Sequence, residues 1–298
     1  MRVLISGATG FIGRLLVPRL IRAGAEPVGL ALEDDILKYD SQVGKQQRLR
    51  LLPVDLRSGS ETASVVAQVQ PDRIVHLAAA GVSDPTIHSG LALEHNVQGT
   101  INLIHAAFEN PALDSPVRQL IVIRTPGETH PANAYTASKA AAWSFCQMYA
   151  WRHGWPILGA MIFQAYGPHQ PAHTFVQAAL RSALAGEDFA MSSGSQRRDW
   201  IYVADVIEGL LAATTVDLSP GASVDLGTGI RTSLIDVANM AYQLVGKGGA
   251  PNPGAIPDRT GEEIDQVADV ERSMKLLNWL PQVELTDGLE LVLKSLAP

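Results

Sequence analysis

The sequence contains only one cysteine, Cys146, so no disulfide can form within the chain. A chain without disulfides suits a reducing compartment, and we expect a cytoplasmic protein. Cys146 lies in an apolar stretch with helical spacing. We therefore predict that its side chain packs in a core and takes no part in chemistry.

Basic runs and long apolar runs are also missing. The chain has 23 Lys and Arg against 30 Asp and Glu, which gives a net charge of −7. This balance argues against non-specific binding to nucleic acid, which needs a basic surface. No apolar run approaches the roughly 20 residues that cross a bilayer, and the first predicted strand begins at Arg2, which leaves no space for a signal peptide. We expect neither a membrane span nor a nucleic-acid partner.

Three glycines, Gly7, Gly10 and Gly13, follow the first predicted strand and precede an amphipathic helical pattern. A strand, a glycine turn and a helix form the context that a dinucleotide fingerprint requires. Gly7 permits the tight turn, Gly10 lets a pyrophosphate approach the backbone, and Gly13 lets the helix pack closely on the strand. We expect the phosphates at the start of this helix, near Phe11 and Ile12.

Short apolar runs alternate with helical patterns over the first half of the 298 residues. This alternation predicts an α/β fold, a Rossmann-type parallel sheet that is doubly wound by helices. The pattern changes near residue 166. We predict a dinucleotide-binding domain over residues 1–165, to which 197–228 return, and a smaller, interleaved C-terminal substrate domain over 166–196 and 229–298.

The end of the second predicted strand bears on the choice between NAD and NADP. An acidic residue there accepts a hydrogen bond from the ribose 2′-OH of NAD, whereas its absence beside a basic residue admits the 2′-phosphate of NADP. Ala31 occupies this position, although Glu33, Asp34 and Asp35 follow and one of them could serve if the strand is longer. Arg14 could reach a 2′-phosphate. The choice stays open, with a slight preference for NADP.

Two further strand ends are expected to border the cofactor. Asp55, after the third predicted strand, could accept from an adenine amino group or could instead be a turn residue at a helix start. Ala78 and Ala79 follow the fourth strand, and such small residues let a flat cofactor lie against the backbone. Asn96 is a poor helix former inside a predicted helix over 91–109, which indicates a polar role facing the sheet.

Tyr135 and Lys139 are one helical turn apart and share a helix face. An ammonium beside a phenol favours the phenolate, so we expect Lys139 to lower the pKa of Tyr135. Such a pair suits proton transfer at an alcohol or ketone oxygen. Thr125, after the fifth predicted strand, could donate a hydrogen bond to that oxygen.

A series of motifs extends over nearly the whole chain. They are Gly7-Ala8-Thr9-Gly10-Phe11-Ile12-Gly13, Asp55-Leu56, His76-Leu77-Ala78-Ala79, Asn96, Tyr135-Thr136-Ala137-Ser138-Lys139, Tyr166-Gly167-Pro168, Arg198-Asp199-Trp200-Ile201-Tyr202-Val203-Ala204-Asp205-Val206, Asp225-Leu226-Gly227-Thr228-Gly229, Arg259-Thr260-Gly261-Glu262 and Asn278-Trp279-Leu280-Pro281. With these motifs the chain resembles an extended short-chain dehydrogenase/reductase of the epimerase/dehydratase family that acts on nucleotide-diphospho-sugars (NDP-sugars).

The resemblance implies that Tyr135 is the acid/base, that Lys139 is its partner and that Thr125 binds the substrate oxygen. It implies that Arg198 and Arg259 hold the substrate diphosphate. It also implies a homodimer built from the helices around 91–109 and 135–152. The implied contacts to NAD or NADP are Gly7, Gly10, Phe11, Ile12, Gly13, Arg14, Asp55, Leu56, Leu77, Ala78, Ala79, Asn96, Tyr135 and Lys139.

Several positions depart from the family pattern. Sugar dehydratases place Asp-Glu directly after the threonine, whereas this chain has Pro126-Gly127, which argues against 4,6-dehydratase chemistry. The short loop from Thr125 to Tyr135 and the run over 195–202 are similar to deoxysugar 4-ketoreductases. Gln164 is predicted to contact the substrate at a position where the family often has Asn. The contacts to the sugar should therefore differ from those of a standard 4-epimerase. Glu128, on the short loop, is an alternative acid.

We therefore predict an NAD(P)-dependent enzyme that moves a hydride at C4 of an NDP-sugar, as a 4-epimerase or a 4-ketoreductase. The alternatives are a dehydrogenase of a smaller alcohol or ketone, and a non-catalytic dinucleotide-binding sensor. His169 and His173 have the spacing of a metal pair, but no motif places a third ligand, so no metal is predicted.

Overall fold

Strands and helices alternate through the computed structural model, which describes residues 1–42, 49–84, 86–261 and 265–296. The strands are β1 (Arg2–Ser6), β2 (Glu26–Ala31), β3 (Leu51–Pro53), β4 (Arg73–His76), β5 (Gln119–Arg124), β6 (Ile157–Ile162), β7 (Gln164–Tyr166), β8 (Phe189–Met191), β9 (Arg197–Tyr202), β10 (Ser223–Leu226), β11 (Arg231–Ser233) and β12 (Pro251–Pro253). The helices are α1 (Gly13–Arg22), α2 (Glu33–Gln42), α3 (Gly59–Val69), α4 (Ser89–Ala92), α5 (Gly99–Phe108), α6 (Ala134–His153), α7 (Phe175–Ala185), α8 (Val203–Ala213), α9 (Leu234–Val245), α10 (Val270–Leu277) and α11 (Leu285–Leu296).

Seven strands form the main sheet, in the order β10-β6-β5-β4-β1-β2-β3. β1 pairs in parallel with β2 on one side and with β4 on the other. The pairs β2–β3, β4–β5 and β5–β6 are parallel as well. The order of the strands therefore reverses beside β1, and a doubly wound sheet binds its ligand at the carboxyl ends of the strands where this happens. The predicted Rossmann-type α/β fold is confirmed.

Strand β1 is buried on both faces, as its continuous apolar run predicts for a parallel sheet. Val3, Leu4 and Ile5 are all 0% exposed. Gly29 of β2 gives the glycine turn room, because a Cβ at Gly29 would lie 2.6 Å from the Cβ of Ala8. This packing fixes the glycine turn at the end of the sheet where a ligand is expected.

The chain divides into two compact units, one of Met1–Met161 with Leu210–Val224 and one of Ile162–Gly209 with Asp225–Pro298. We expected 197–228 to return to the first unit, but only Leu210–Val224 lies there. The reason is the pairing of β9, which joins β7 and β11 in a separate three-stranded sheet.

The second unit has its own apolar core, in which Tyr166, Leu180 and Val237 are at most 1% exposed. Asp199 of β9 is 0% exposed, and its carboxylate accepts hydrogen bonds from the backbone N–H groups of Thr228, Gly229 and Ala268. Buried carboxylates persist only where such donors satisfy them. Asp199 thus holds the turn after β10 in place.

The single helix predicted over 91–109 is divided. A π-helical segment, Leu93–Gln98, separates α4 from α5, and it contains Asn96. Within the described ranges, no helix is both long and apolar enough to pass through a membrane.

Candidate active site

The glycine loop lies at the carboxyl end of β1. Gly7 has a φ of 69°, in the left-handed region that favours glycine, and a Cβ there would lie 2.8 Å from the backbone nitrogen of Ala78. A Cβ on Gly13 would lie 2.7 Å from the Cα of Ala8. The Gly7 N–H donates to the Leu30 carbonyl at 2.9 Å, which ties the loop to β2. The loop therefore requires glycine at both positions.

The start of α1 can receive an anion. Ile12 precedes the helix and gives it no side-chain cap. The N–H groups of Arg14 and Leu15 donate to the carbonyls of Gly10 and Ile12, so an anion would be bound by the N–H groups between Gly10 and Arg14. Gly10 is exposed, while Phe11 and Ile12 are half-buried. A loop without side chains beside an uncapped helix start fits the pyrophosphate of a dinucleotide, and these residues would hold it.

The other predicted cofactor contacts divide into two groups. Leu77, Ala78 and Ala79 are half-buried directly after β4, where the crevice is expected. Both carboxylate oxygens of Asp55 accept hydrogen bonds from the Arg57 guanidinium, and its contact to an adenine stays a prediction. These bonds lower the pKa of the Asp55 carboxyl. Leu56, the next residue, packs against the apolar core of this unit.

Thr125, Tyr135 and Lys139 lie at one strand end and one helix start. Thr125 directly follows β5, and its side chain lies near enough to the Tyr135 phenol to lower the pKa of Tyr135. The Asn133 side chain caps α6 by accepting from the Thr136 N–H at 2.9 Å. Lys139 is 4% exposed and follows Tyr135 by one turn. The structure thus brings Thr125 near Tyr135 and buries Lys139 on the same helix as Tyr135.

The expected effect of Lys139 on Tyr135 is not what the structure shows. Burial raises the pKa of Tyr135, and the negative charge of Glu128 raises it further, while the hydrogen bond with Thr125 lowers it. Burial lowers the pKa of Lys139, and Glu128 opposes that change. The prediction that Lys139 lowers the pKa of Tyr135 is therefore corrected, because desolvation is the largest influence on both groups.

Glu128 is a buried carboxylate beside these groups. Its side chain is 2% exposed, and its two oxygens accept from the Thr125 N–H and from Arg124 Nε, each at 2.9 Å. The Arg124 guanidinium also lies 4.5 Å from the Trp143 ring centroid and donates to Ser223 Oγ at 3.0 Å. Glu128 therefore fixes the backbone of Thr125. The spacing Thr125-x-x-Glu128 of a capping box could have predicted this contact.

Asn96 lies in the π-helical segment and connects it to the chain after β4 and to α6. Its Oδ1 accepts from the Ala80 N–H at 2.8 Å, and its Nδ2 donates to the Ala80 carbonyl and to Ser138 Oγ, both at 2.9 Å. The Ser138 hydroxyl donates to the Tyr135 carbonyl at 2.7 Å. Asn96 is 1% exposed, so its amide is fully engaged within the protein. Its role here is to bind the end of β4 to α6.

His76, at the end of β4, belongs to one of the motifs but has no role predicted from the sequence. Its Nδ1 lies 2.6 Å from Ser6 Oγ, and its Nε2 lies 2.9 Å from Thr100 Oγ1. The Thr100 hydroxyl donates to the Asn96 carbonyl, and the Ala78 N–H donates to Ser6 Oγ, so both bonds suit a neutral imidazole. Burial, with a smaller effect of Lys139, lowers the pKa of His76 to about 3. Polar residues at neighbouring strand ends are the signal that predicts such a network.

A known protein family matches most of the chain. The family described as "NAD dependent epimerase/dehydratase family" matches residues 3–227. The chain belongs to this family. The membership agrees with the glycine loop and the Thr125, Tyr135 and Lys139 set.

Two sugar-nucleotide enzymes match this chain almost end to end. A UDP-glucose 4-epimerase of Mycolicibacterium smegmatis is 28% identical over 97% of this chain and 96% of its own length. A dTDP-glucose 4,6-dehydratase of Neisseria meningitidis serogroup B is 24% identical over 97% of this chain and 91% of its own length. The relatives thus include more than one reaction.

Solved structures of epimerases share the fold. The UDP-glucose 4-epimerase of Thermus thermophilus in complex with NAD has a TM-score of 0.82 and 25% identity, and covers 99% of this chain and 98% of its own. The UDP-glucuronic acid 4-epimerase of Bacillus cereus has a TM-score of 0.84 and 22% identity, with the same coverage. At 22% identity the likeness shows the fold alone.

The residues predicted to bind substrate all lie in the second unit. Gln164 is exposed on β7, and Arg198 is only 5% exposed on the neighbouring β9, where it donates to the Arg197 carbonyl at 3.0 Å. Arg259 is exposed in the loop after β12. Glu262, the last residue of its motif, lies outside the described residues.

The two histidines with metal-pair spacing do not form a recognisable centre. His169 has a positive φ of 67°, and His173 is exposed before α7. Among the described residues, no group of three or more His, Cys, Asp or Glu could hold a metal ion. Cys146 is buried in the core of the first unit, and burial raises its pKa to about 12.

Proposed function

We propose that the protein is a nicotinamide-dinucleotide-dependent enzyme that moves a hydride at C4 of the hexose of an NDP-sugar. The observation that carries the proposal is that Thr125, at the end of β5, lies near buried Tyr135, with buried Lys139 one helical turn away, in the same unit as the glycine loop. Relatives that are named as sugar-nucleotide epimerases and dehydratases support the substrate class.

A nicotinamide dinucleotide held by the glycine loop would supply or accept the hydride. In the direction of reduction, Thr125 donates a hydrogen bond to the carbonyl oxygen at C4, and Tyr135 gives its proton to the same oxygen as the hydride arrives at carbon. In the direction of oxidation, Tyr135 takes the hydroxyl proton. Its raised pKa keeps Tyr135 protonated at neutral pH, which suits the reductive step.

The diphosphate of the substrate is assigned to Arg198 and Arg259, and the sugar to Gln164. Guanidinium groups bind phosphate oxygens in a fork, which a lysine cannot do. A dehydrogenase of a smaller alcohol would need neither arginine. Loss of rate in Arg198→Gln or Arg259→Gln, with an unchanged affinity for the dinucleotide, would therefore favour the NDP-sugar over a smaller substrate.

The reaction is either 4-epimerisation or reduction of a 4-keto sugar. Both use the same three side chains, and Pro126-Gly127 after Thr125 favours both over 4,6-dehydration. To separate them, UDP- and dTDP-hexoses and the corresponding 4-keto-6-deoxy sugars would be supplied with each dinucleotide, and products identified by NMR. Epimerase turnover needs no added reduced dinucleotide, whereas reduction consumes one equivalent per product.

The Tyr135→Phe variant tests the proposal as a whole. We expect turnover to fall roughly 100- to 10,000-fold, since the proton donor is lost, while the dissociation constant for the dinucleotide changes little. Thr136→Ser, one residue further along α6, is the matched control. A Tyr135→Phe protein that retains full turnover would reject the mechanism, and a protein that binds no nicotinamide dinucleotide would reject the proposed function.

We also propose that the protein forms a homodimer through α4, the π-helical segment and α6. Leu91 and Leu93 are 47% and 52% exposed, and Phe145 and Met148 of α6 are 40% and 38% exposed. Neighbouring helices that share exposed apolar side chains are typical of an interface.

A further inference from the structure

Arg14, the second residue of α1, has few partners for its charge among the residues that the structure describes. One terminal nitrogen donates to the Thr9 carbonyl at 3.0 Å, and the guanidinium carbon lies 5.8 Å from the centroid of the Tyr39 ring. Its Nε is buried and has no hydrogen-bond partner within the described part of the chain. No ion pair to Arg14 is found there either. A buried N–H of a cation without an acceptor is costly, so a ligand that supplies one is favoured.

The place of Arg14 indicates which ligand group this is. Gly7 and Ala8 donate to the carbonyl of Leu30 in β2, at 2.9 and 3.3 Å, so the loop that carries Thr9 lies at the end of that strand. Tyr39 belongs to α2, the helix that follows β2 directly. The guanidinium therefore lies between the glycine loop and the element after β2. In a dinucleotide fold this is where the adenosine ribose binds.

The residues around this position lack the carboxylate that would select a free ribose hydroxyl. Ala31 ends β2 and is 8% exposed. Glu33 and Asp34 are exposed in the first turn of α2, and Asp35 forms an ion pair with Lys38 at 3.6 Å. The acidic side chains thus belong to the helix surface, and the residue that ends the strand is an alanine, which carries no charge.

We propose that Arg14, with Ala31 at the end of β2, forms a binding subsite for the 2′-phosphate of NADP or NADPH. The inference deepens the proposed function and rests on it. The guanidinium binds phosphate oxygens through its unused N–H groups, and the methyl of Ala31 leaves room for the phosphate without charge repulsion. A preference for NADPH suits an enzyme that reduces a keto sugar delivered by a preceding oxidation or dehydration, since the oxidised dinucleotide is then released.

The test measures dissociation constants of the purified protein for NAD⁺ and NADP⁺ by calorimetry, with 5′-AMP and adenosine 2′,5′-bisphosphate as probes of the ribose end. We expect NADP⁺ to bind more tightly than NAD⁺. Arg14→Gln should weaken NADP⁺ and the bisphosphate roughly 10- to 100-fold, the loss typical of a charge-assisted hydrogen bond, and leave NAD⁺ and 5′-AMP nearly unchanged. Arg22→Gln, an exposed arginine at the other end of α1, is the control.

The second variant, Ala31→Asp, keeps the proposal testable if Arg14→Gln does not fold. It should weaken NADP⁺ by charge repulsion and strengthen NAD⁺ through the ribose hydroxyls. Equal losses for both dinucleotides in Arg14→Gln would place Arg14 on the pyrophosphate and overturn the subsite. A wild-type preference for NAD⁺ with turnover of an NDP-sugar would overturn the subsite alone, whereas failure to bind either dinucleotide would reject the proposed function too.

Discussion

Single residues in this protein derive their properties from neighbours that the local sequence does not reveal. Glu128 is three residues from Thr125, yet its importance comes from burial and from Arg124, Tyr135 and Lys139 around it. A carboxylate in such a place raises the pKa of any acid nearby and stabilises nearby cations. Glu128 therefore influences the protonation of both side chains proposed for catalysis.

The Glu128→Gln variant separates this electrostatic effect from structure. Arg124 would keep its charge without a carboxylate, and we expect the free energy of unfolding to fall by about 3 kcal/mol. Because Glu128 raises the pKa of Tyr135, the limb of the pH–rate profile that reports Tyr135 should move to lower pH. Denaturant unfolding and pH–rate profiles measure the two effects. Glu109→Gln, an exposed ion-pair partner of His105, is the control, and an unmoved limb would show that Glu128 acts only on stability.

His76 predicts a pH dependence of folding. The folded protein holds the pKa of His76 at about 3, whereas a histidine in an unfolded chain has the ordinary value of 6.5. Between these values the unfolded chain binds a proton that the folded chain does not. The stabilisation is thus complete above pH 6.5 and decreases as the pH falls toward 3, by up to about 1.4 kcal/mol per pH unit.

Denaturant unfolding at pH 7.5, 6.0 and 5.0 measures this slope. His76→Gln should give a flatter dependence over this range, although its stability at pH 7.5 is lower. His173→Gln, an exposed histidine, should keep the wild-type slope. An unchanged slope in His76→Gln would mean that His76 is not the titrating group.

At the scale of elements, the π-helical segment shows how a side chain can change a helix. The sequence between residues 91 and 109 has helical spacing throughout, and that spacing alone predicts one continuous helix. The segment Leu93–Gln98 is π-helical instead of α-helical, and within it Asn96 forms hydrogen bonds with the backbone of Ala80 and the side chain of Ser138. Irregular turns of this kind are common at functional sites.

Asn96→Ala tests whether these hydrogen bonds hold the end of β4 against α6. The substitution leaves the N–H and carbonyl of Ala80 without their partner, and we expect a loss of roughly 1–3 kcal/mol in stability. Faster hydrogen exchange at the Ala80 amide should accompany it. Gln98→Ala, an exposed residue of the same segment, is the control. Unchanged exchange at Ala80 would show that the contact is not structurally important.

For the whole molecule, the two units have separate cores, and the chain leaves the first unit and later returns to it. This path could not be predicted from the change of sequence pattern alone. The placement of β9 depends on its pairing with β7 and β11, which joins Trp200 to Gln164 and Asp199 to Arg231, residues far apart along the chain. Pairing over such separations depends on the complete fold.

The proposed homodimer concerns the surface of the whole molecule. Phe145→Glu would place a charge among the exposed apolar residues of α6, and we expect the protein to become monomeric. Light scattering after size-exclusion chromatography measures the mass. Leu37→Glu, which alters an exposed leucine of α2, should not change it. A wild-type protein that is monomeric at micromolar concentration would reject the dimer.

Local patterns were sufficient for much of this protein. The spacing of apolar residues predicted β1 and α1, and the glycines predicted the turn between them. The spacing of Tyr135 and Lys139 placed both on one helix face. These features depend only on residues that are close together in the chain. The electrostatics of the site depend on distant residues. His76 meets Ser6 across 70 positions and Asn96 meets Ser138 across 42, and burial by the complete fold sets the pKa shifts of Tyr135 and Lys139. Desolvation has no local signature in a sequence, so only the folded chain shows that burial raises the pKa of Tyr135.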